Sequence, residues 1–224
     1  MSFVRLYVVE YCSFNSQDTF YNTTDVNGYK RGGLDYGLTN IGNWSEFNSS
    51  NPISPCGITI SLGSETGVIG YSAVANSISI TTKIPSYRGI ENPFGHIWKW
   101  MDGININVVE DNTSYYICDN ISQFADDTTT NYNLRITIPK IGEGYIKTIN
   151  WDENGDFLPV SKGGSSNSYY FDYVYNSSDG WRVCYCGGGA GNGAPAGLLC
   201  LDASHDSSYA PAGIGGRLYY TPQN

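Results

Sequence analysis

The sequence is poor in charge and in the residues that build helices. Only 15% of its 224 residues are charged, compared with roughly a quarter in an average protein. Glycine and tyrosine are abundant instead, with 27 and 19 residues. Because glycine and β-branched residues lower helix propensity, this composition disfavours a long helical bundle. Aromatic residues make up 14% of the chain, which is more buriable surface than an intrinsically disordered protein carries.

The charge that is present is mainly negative. Twelve lysines and arginines stand against 21 aspartates and glutamates, so the formal net charge is −9. No basic cluster interrupts this excess, and phosphate binding needs lysine and arginine on one face. We therefore expect no nucleic-acid partner. No apolar run approaches the roughly 18 residues of a membrane-spanning helix, which predicts no membrane insertion.

Signals for export and for metal binding are also missing. Residues 1–11 lack a long apolar core followed by a small-residue cleavage site, so we expect no signal peptide in this chain. The six cysteines are scattered and include no Cys-x-x-Cys pair. We interpret them as buried free thiols. Cys184 and Cys186 would point to the same side of a strand, but two thiols alone do not make a metal site.

Short apolar stretches with a period of two residues alternate with turn clusters along the chain. We expect one compact domain, in which residues 1–85 form an N-terminal β-rich subregion packed on a main fold of residues 86–224. One short helix is predicted from Ile90 to about Met101, with Pro93 in its first turn and Gly103 ending it. The predicted strands are residues 4–11, 67–84, 104–109, 114–118, 133–139, 145–151, 169–175 and 181–186.

Two segments resemble the formylglycine-generating enzyme and sulfatase-modifying-factor family. Residues 95–102, with two tryptophans two positions apart, are similar to that family's Gly-Asn-Val-Trp-Glu-Trp signature. Residues 181–189 and 213–218 resemble its Arg-Val…Gly-Gly core and its final Gly-Phe-Arg strand. The resemblance implies an α+β, C-type lectin-like fold, β-rich with few short helices. The scaffold residues that it implies are Gly95, Trp98, Trp100, Asp102, Gly187, Gly188 and Arg217.

The resemblance does not extend to the catalytic residues of the family. His96 and Lys99 stand where its enzymes carry Asn and Glu, and a cation there opposes the oxygen ligands that calcium needs. The oxidases also depend on two C-terminal cysteines, whereas only Cys200 follows the glycines here. We therefore predict no catalysis and no cofactor. Residues 119–127, which are rich in aspartate, remain a candidate for a calcium site.

A non-catalytic branch with the same fold fits the C-terminal segment better. Residues 187–216 resemble the display segment of the variable proteins of diversity-generating retroelements and of the receptor-binding tips of phage tails from gut Bacteroidales. Mutagenesis at adenines in such segments does not produce Lys, Glu, Gln, Met or Trp, and none of these occurs from Gly187 to Gly216. Leu198, Leu199 and Leu201 in this segment are expected to pack inward. The predicted ligand-binding residues are Ala190, Asn192, Ala194, Ser204, His205, Asp206, Ser207, Ser208 and Tyr209.

These features predict a receptor-binding domain at the tip of a phage tail fibre, in the virion and facing the extracellular medium. Tyrosine supplies contact area with few rotatable bonds, and serine and glycine adapt around it. The expected partner is a protein or carbohydrate receptor on a bacterial surface, bound by a homotrimer that adds avidity. Two alternatives remain open: a formylglycine-generating-type oxidase, and a purely structural component of the tail or baseplate.

Overall fold

The computed structural model describes much of the chain from residue 56 onward. The predicted strand at residues 4–11, the site residues Ala190 and Ala194, and the residues His96 and Arg217 lie outside the described part. Within that part, no helix has the length and the apolar character that a membrane crossing requires. The described ranges are residues 56–75, 78–95, 97–151, 157–166, 168–170, 172–176, 178–189, 192, 195–211 and 213–216.

Strands make up almost all of the regular structure in these ranges. They are β1 (Gly67–Ala75), β2 (Ile78–Tyr87), β3 (Ile90–Glu91), β4 (Trp98–Val109), β5 (Asn112–Ile117), β6 (Asn133–Pro139), β7 (Gly144–Trp151), β8 (Phe157–Lys162), β9 (Tyr173–Tyr175), β10 (Gly180–Cys186), β11 (Leu201–Asp202) and β12 (Ile214–Gly215). Short 3-10 turns lie at Ile60–Leu62 and Ile121–Gln123, and the described residues contain no α-helix. The predicted α+β, C-type lectin-like class is therefore wrong.

The predicted helix from Ile90 to Met101 is also wrong. Residues 90–91 form β3, and β4 begins at Trp98. Between them, Asn92 and Gly95 have φ angles of 54° and 78°, which a right-handed helix does not contain. Trp98 and Trp100 therefore lie on one strand. Because residues two positions apart in a strand share a face, both indoles lie on the same face of the sheet. The pattern that indicated a helix is a tight turn followed by a strand.

The described strands form two sheets. β1, β2 and β3 make an antiparallel sheet in that order. The other nine strands make a mixed sheet in the order β6-β5-β4-β10-β11-β9-β7-β8, and β12 pairs in parallel with the start of β4. The predicted strand at residues 133–139 coincides with β6, but residues 67–84 hold parts of two strands rather than one. β8, β11 and β12 were not predicted from the sequence.

A cluster of buried hydrophobic residues joins β4 to the strands around it and to the C-terminal segment. Leu199 and Leu201 belong to this cluster and are at most 9% exposed, so these two leucines pack inward as expected. Leu198, of which the same was expected, is only partly buried. Burying such a side chain stabilises the fold by about 1.5–3 kcal/mol. The cluster therefore ties the chain after β10 firmly to the sheet. Its members are Ile104, Ile106, Val108, Tyr115, Ile138, Ile141, Ile146, Leu158, Val174, Cys184, Leu199, Leu201 and Ala203.

A break in register between β4 and β10 shapes the middle of the larger sheet. Arg182 pairs with Ile106, but Cys184 pairs with Met101. The chain therefore advances five residues along β4 where it advances only two along β10. Gly103 lies within this bulge with a φ of 78°. A Cβ atom at this position would lie 2.7 Å from the Phe124 ring. The bulge therefore requires glycine, which lies inside a strand here and does not end a helix.

We expect the substitution Gly103→Ala to lower the free energy of unfolding by more than about 2 kcal/mol, because it combines left-handed backbone strain with a steric clash. Chemical denaturation measures this change. Gly70→Ala is the matched control, since no atom lies within 4 Å of a Cβ added there. Equal stability of the two variants would show that the bulge does not constrain the fold.

Candidate functional site

An aromatic cluster supports the C-terminal segment. Trp98 and Trp100 on β4 both contact the Tyr185 ring on β10 edge to face, with centroid separations of 5.0 and 5.3 Å. Tyr175 on β9 extends the cluster and lies 5.9 Å from Trp98. Each such pair contributes about 0.5–1.5 kcal/mol beyond the burial of its area. These contacts hold both β9 and β10 to β4, and β10 leads into the C-terminal segment.

The predicted scaffold glycines lie where β10 ends. The Gly95 amide donates to the carbonyl oxygens of Gly187 and Gly188, at 3.0 and 3.2 Å. Gly188 has a φ of 73°, and a Cβ added to it would lie 2.6 Å from the Cβ of Ala196. The chain therefore turns sharply beside Gly95. Asp102, the other described non-aromatic scaffold residue, is exposed and lines a separate cavity.

The loop after β11, residues 203–211, contains most of the predicted ligand-binding residues, and its base is fixed by hydrogen bonds. Val183 has no partner on β4 because of the bulge, and its amide donates to the His205 carbonyl oxygen at 3.1 Å. The Nδ1 atom of His205 lies 2.6 Å from the hydroxyl oxygen of Tyr185. The buried Asp202 carboxylate accepts the Ser204 amide at 2.8 Å. β10 and β11 thus position the start of the loop.

The tip of the loop is exposed but ordered by short-range contacts. Residues 206–210 are all exposed, and His205 is half-buried. Oδ1 of Asp206 accepts the Ser208 amide at 3.0 Å, and the Tyr209 amide donates to the Asp206 carbonyl oxygen at 3.1 Å. The Tyr209 ring stacks on the His205 ring, with centroids 3.6 Å apart and planes 9° from parallel. The loop therefore presents its side chains at the surface in a defined arrangement.

Two aspartates beside the loop have pKa values shifted in opposite directions. Burial raises the pKa of the Asp202 carboxyl group, and the hydrogen bond from the Ser204 amide offsets this only in part. Hydrogen bonds from the Ser208 hydroxyl and amide lower the pKa of Asp206. Asp206 therefore places a full negative charge on the surface of the loop. Burial also raises the pKa of Tyr185, which keeps its hydroxyl protonated beside His205.

An open depression of about 520 Å³ lies against the loop. This volume is within the range of roughly 300–1,000 Å³ that is common for small-molecule sites. Arg182 of β10 also lines the depression, although the sequence placed it only in a scaffold motif. Its proximity to the loop depends on the bulge at Val183, which no sequence pattern indicated. The predicted ligand-binding residues in its wall are Ser204, His205, Asp206, Ser208 and Tyr209.

The other two described ligand-binding predictions lie away from this depression. The Asn192 side chain accepts the Gly189 amide at 2.7 Å and donates to the Tyr175 hydroxyl at 3.3 Å. It therefore closes the turn after β10. The Ser207 hydroxyl donates to Asp127 at 2.8 Å and lines a second cavity, of about 320 Å³. Of the seven predicted residues that the structure describes, five therefore line the depression, whereas Asn192 and Ser207 do not.

The aspartates of residues 119–127 do not converge on one point. Asp119 forms an ion pair with Arg135 at 3.0 Å, and Asp127 accepts the Ser207 hydroxyl. Burial and the nearby charges of Asp127 and Asp102 raise the pKa of Asp126. In the part of the chain that the structure describes, no three His, Cys, Asp or Glu side chains are grouped so that they could hold a metal ion. The calcium site remains a prediction from the sequence.

The chain matches no known protein-family model, no curated protein and no solved structure. The resemblance of residues 95–102 and 187–216 therefore rests on those segments alone. The fold built from strands contradicts the class that the resemblance implied. Function is therefore best inferred from the geometry of the loop and its depression.

We expect Asp202→Asn to stabilise the protein at neutral pH relative to the native chain, because asparagine avoids the burial of a charge and its carbonyl oxygen still accepts the Ser204 amide. The native carboxyl group has a raised pKa in the fold, so it gains stability as the pH falls through that pKa. The advantage of the variant should therefore shrink towards pH 4. Denaturant unfolding of both proteins from pH 7 to about pH 3 measures it, a range that includes the ordinary carboxyl pKa.

The control is Asp206→Asn, for which the expected change in the free energy of unfolding has the opposite sign. The lowered pKa of Asp206 means that its charge contributes stability above the ordinary carboxyl pKa, and this contribution is lost as the pH falls through the lowered value. This variant should be slightly less stable than the native chain at neutral pH. A pH dependence of the same sign for both variants would contradict the assigned environments.

Proposed function

We propose that this chain is a non-catalytic binding domain that attaches to a receptor on a bacterial surface through residues 204–211. The proposal rests on the difference between the two ends of this loop, which has a fixed base and an exposed tip. Its base is hydrogen-bonded to β10 and β11, and its tip is exposed beside an open depression. Side chains on a loop that a rigid scaffold holds can change without loss of the core.

The side chains at the tip suit recognition of a surface. Tyr209 is 38% exposed and stacks on His205, so it offers a large ring at a low cost in side-chain entropy. Ser208, the residue before Tyr209, is exposed and carries a small hydroxyl group that can accept a hydrogen bond from a ligand. The resemblance of residues 187–216 to the display segments of phage tails and variable proteins supports host attachment at a tail-fibre tip. One such loop binds weakly, so we include a homotrimer that adds avidity.

The environment of Cys200 favours binding over the oxidase alternative. Cys200 is fully buried, and burial raises the pKa of its thiol well above the ordinary value. A metal-binding or nucleophilic cysteine needs the opposite, an accessible thiolate. The alternative of a structural tail component differs in another way. It requires residues 204–209 to be covered by a partner chain.

We expect Tyr209→Ala to abolish most binding to host cells and to leave the melting temperature nearly unchanged, because the ring lies on the surface of the loop. The measurement uses biotinylated protein presented on fluorescent streptavidin and a panel of intact, capsule-bearing gut Bacteroidales strains. Binding to a subset of strains is the expected result for the native chain. Tyr169→Ala is the matched control, since this tyrosine is 54% exposed and lies outside the loop.

Equal loss of binding in both variants would contradict a role for the loop, and absence of binding to every strain would contradict attachment to a cell surface. Exchange of residues 204–209 for another sequence should change the range of strains bound. The DNA beside the coding sequence provides a separate check on diversification. A near-copy of the 3′ coding segment next to a reverse transcriptase is expected there.

A further inference from the structure

The depression beside the loop contains a cationic side chain that no acidic group in the described structure neutralises by direct contact. Arg182 lines the depression, and its buried Nε atom has no hydrogen-bond partner. Arg135 and Lys140, by contrast, form ion pairs with Asp119 and Asp179. A buried donor without an acceptor costs about 1–3 kcal/mol. Because Arg182 also lines the depression, an anionic group bound there can approach its guanidinium.

The nearest acidic group on the loop complements the arginine without pairing with it. Arg182 and Asp206 both line the depression, so a ligand bound there can contact both side chains. The Ser208 amide and hydroxyl both donate to Oδ1 of Asp206. Oδ2 accepts no hydrogen bond from the described residues. This oxygen can accept a hydroxyl group of a ligand.

A flat aromatic surface completes the site. Tyr209 stacks on His205, which in turn is held by Tyr185. The partly exposed Tyr209 ring thus has a fixed position at the edge of the depression. Amphipathic aromatic rings of this kind pack against the apolar parts of a ligand and leave their polar end in contact with water. The apolar face of a sugar ring fits such a surface.

We propose that the ligand recognised at this site is a sugar residue that carries a carboxylate, as in an acidic surface polysaccharide. Arg182 binds the carboxylate, Asp206 accepts a ring hydroxyl and Tyr209 packs against the sugar ring. A guanidinium matches a carboxylate through two parallel hydrogen bonds. A single arginine beside Asp206, in a chain of net charge −9, favours a singly charged group over a phosphate. This inference rests on the proposed receptor-binding function.

The test is an NMR titration of the 15N-labelled protein with D-glucuronate, D-glucose and D-glucose 6-phosphate. D-Glucuronate should shift the backbone amide signals of the loop and of Arg182. D-Glucose should bind at least about tenfold more weakly, because it lacks the charge-assisted contact. D-Glucose 6-phosphate should also bind more weakly than D-glucuronate. These comparisons use the native chain and so do not depend on the folding of a variant.

Variants of Arg182 then test whether this side chain causes the preference for D-glucuronate. Arg182→Gln should remove the preference for D-glucuronate over D-glucose, and Arg182→Lys should restore only part of it, because lysine keeps the charge and loses the planar pair of donors. Arg135→Gln is the control, since Arg135 pairs with Asp119 outside the depression. Spectra of each variant without sugar report whether the fold is retained.

Several results would overturn this inference. They are equal binding of D-glucose and D-glucuronate, tighter binding of the phosphate, an unchanged preference in Arg182→Gln, and no shift with any sugar. None of them alone removes the proposed function, because attachment to intact cells is measured independently. Loss of cell attachment together with retained D-glucuronate binding would instead contradict the receptor role and leave the sugar site in place.

Discussion

The three extra residues that β4 carries opposite Val183 determine where the candidate site lies. Because the ladder between β4 and β10 is interrupted there, the Val183 amide pairs with the His205 carbonyl oxygen instead of with β4. Gly103 lies within this bulge at a φ of 78°, and a Cβ atom added there would clash with the Phe124 ring. One glycine inside a strand thus fixes the base of a loop about a hundred residues later in the chain.

The aromatic cluster and the loop have separate physical roles. Trp98, Trp100 and Tyr185 hold β4 against β10 through edge-to-face contacts, and Tyr185 also contacts His205. Beyond His205, the loop contributes little to the core, since residues 206–210 are exposed. The contacts that stabilise the fold are therefore concentrated in the sheet beneath the loop, and the groups that can contact a ligand lie on the exposed part of the loop. This separation is the physical basis of the proposed recognition function.

Some elements were predictable from the sequence because their signals are local. Period-two alternation identified β6 and most of β5, β7 and β10, since it records which face of a strand is buried. The aliphatic residues Leu199 and Leu201 were likewise expected to pack inward. The stretch from Ile90 to Met101 was misread because Pro93 and Gly103 are also typical of helix ends. The positive φ angles of Asn92 and Gly95 prevent a right-handed helix in this stretch.

The sequence by itself determined that this is a glycine- and tyrosine-rich, acidic chain of short strands, with a small polar segment before its end. Composition and alternation are properties of neighbouring residues, so they can be read without a fold. Only the tertiary structure decided that Arg182 and Tyr209 line the same depression, and that Ser207 and Asn192 form hydrogen bonds outside it. Those positions depend on strand register and on a bulge, which arise from contacts between residues far apart in the chain.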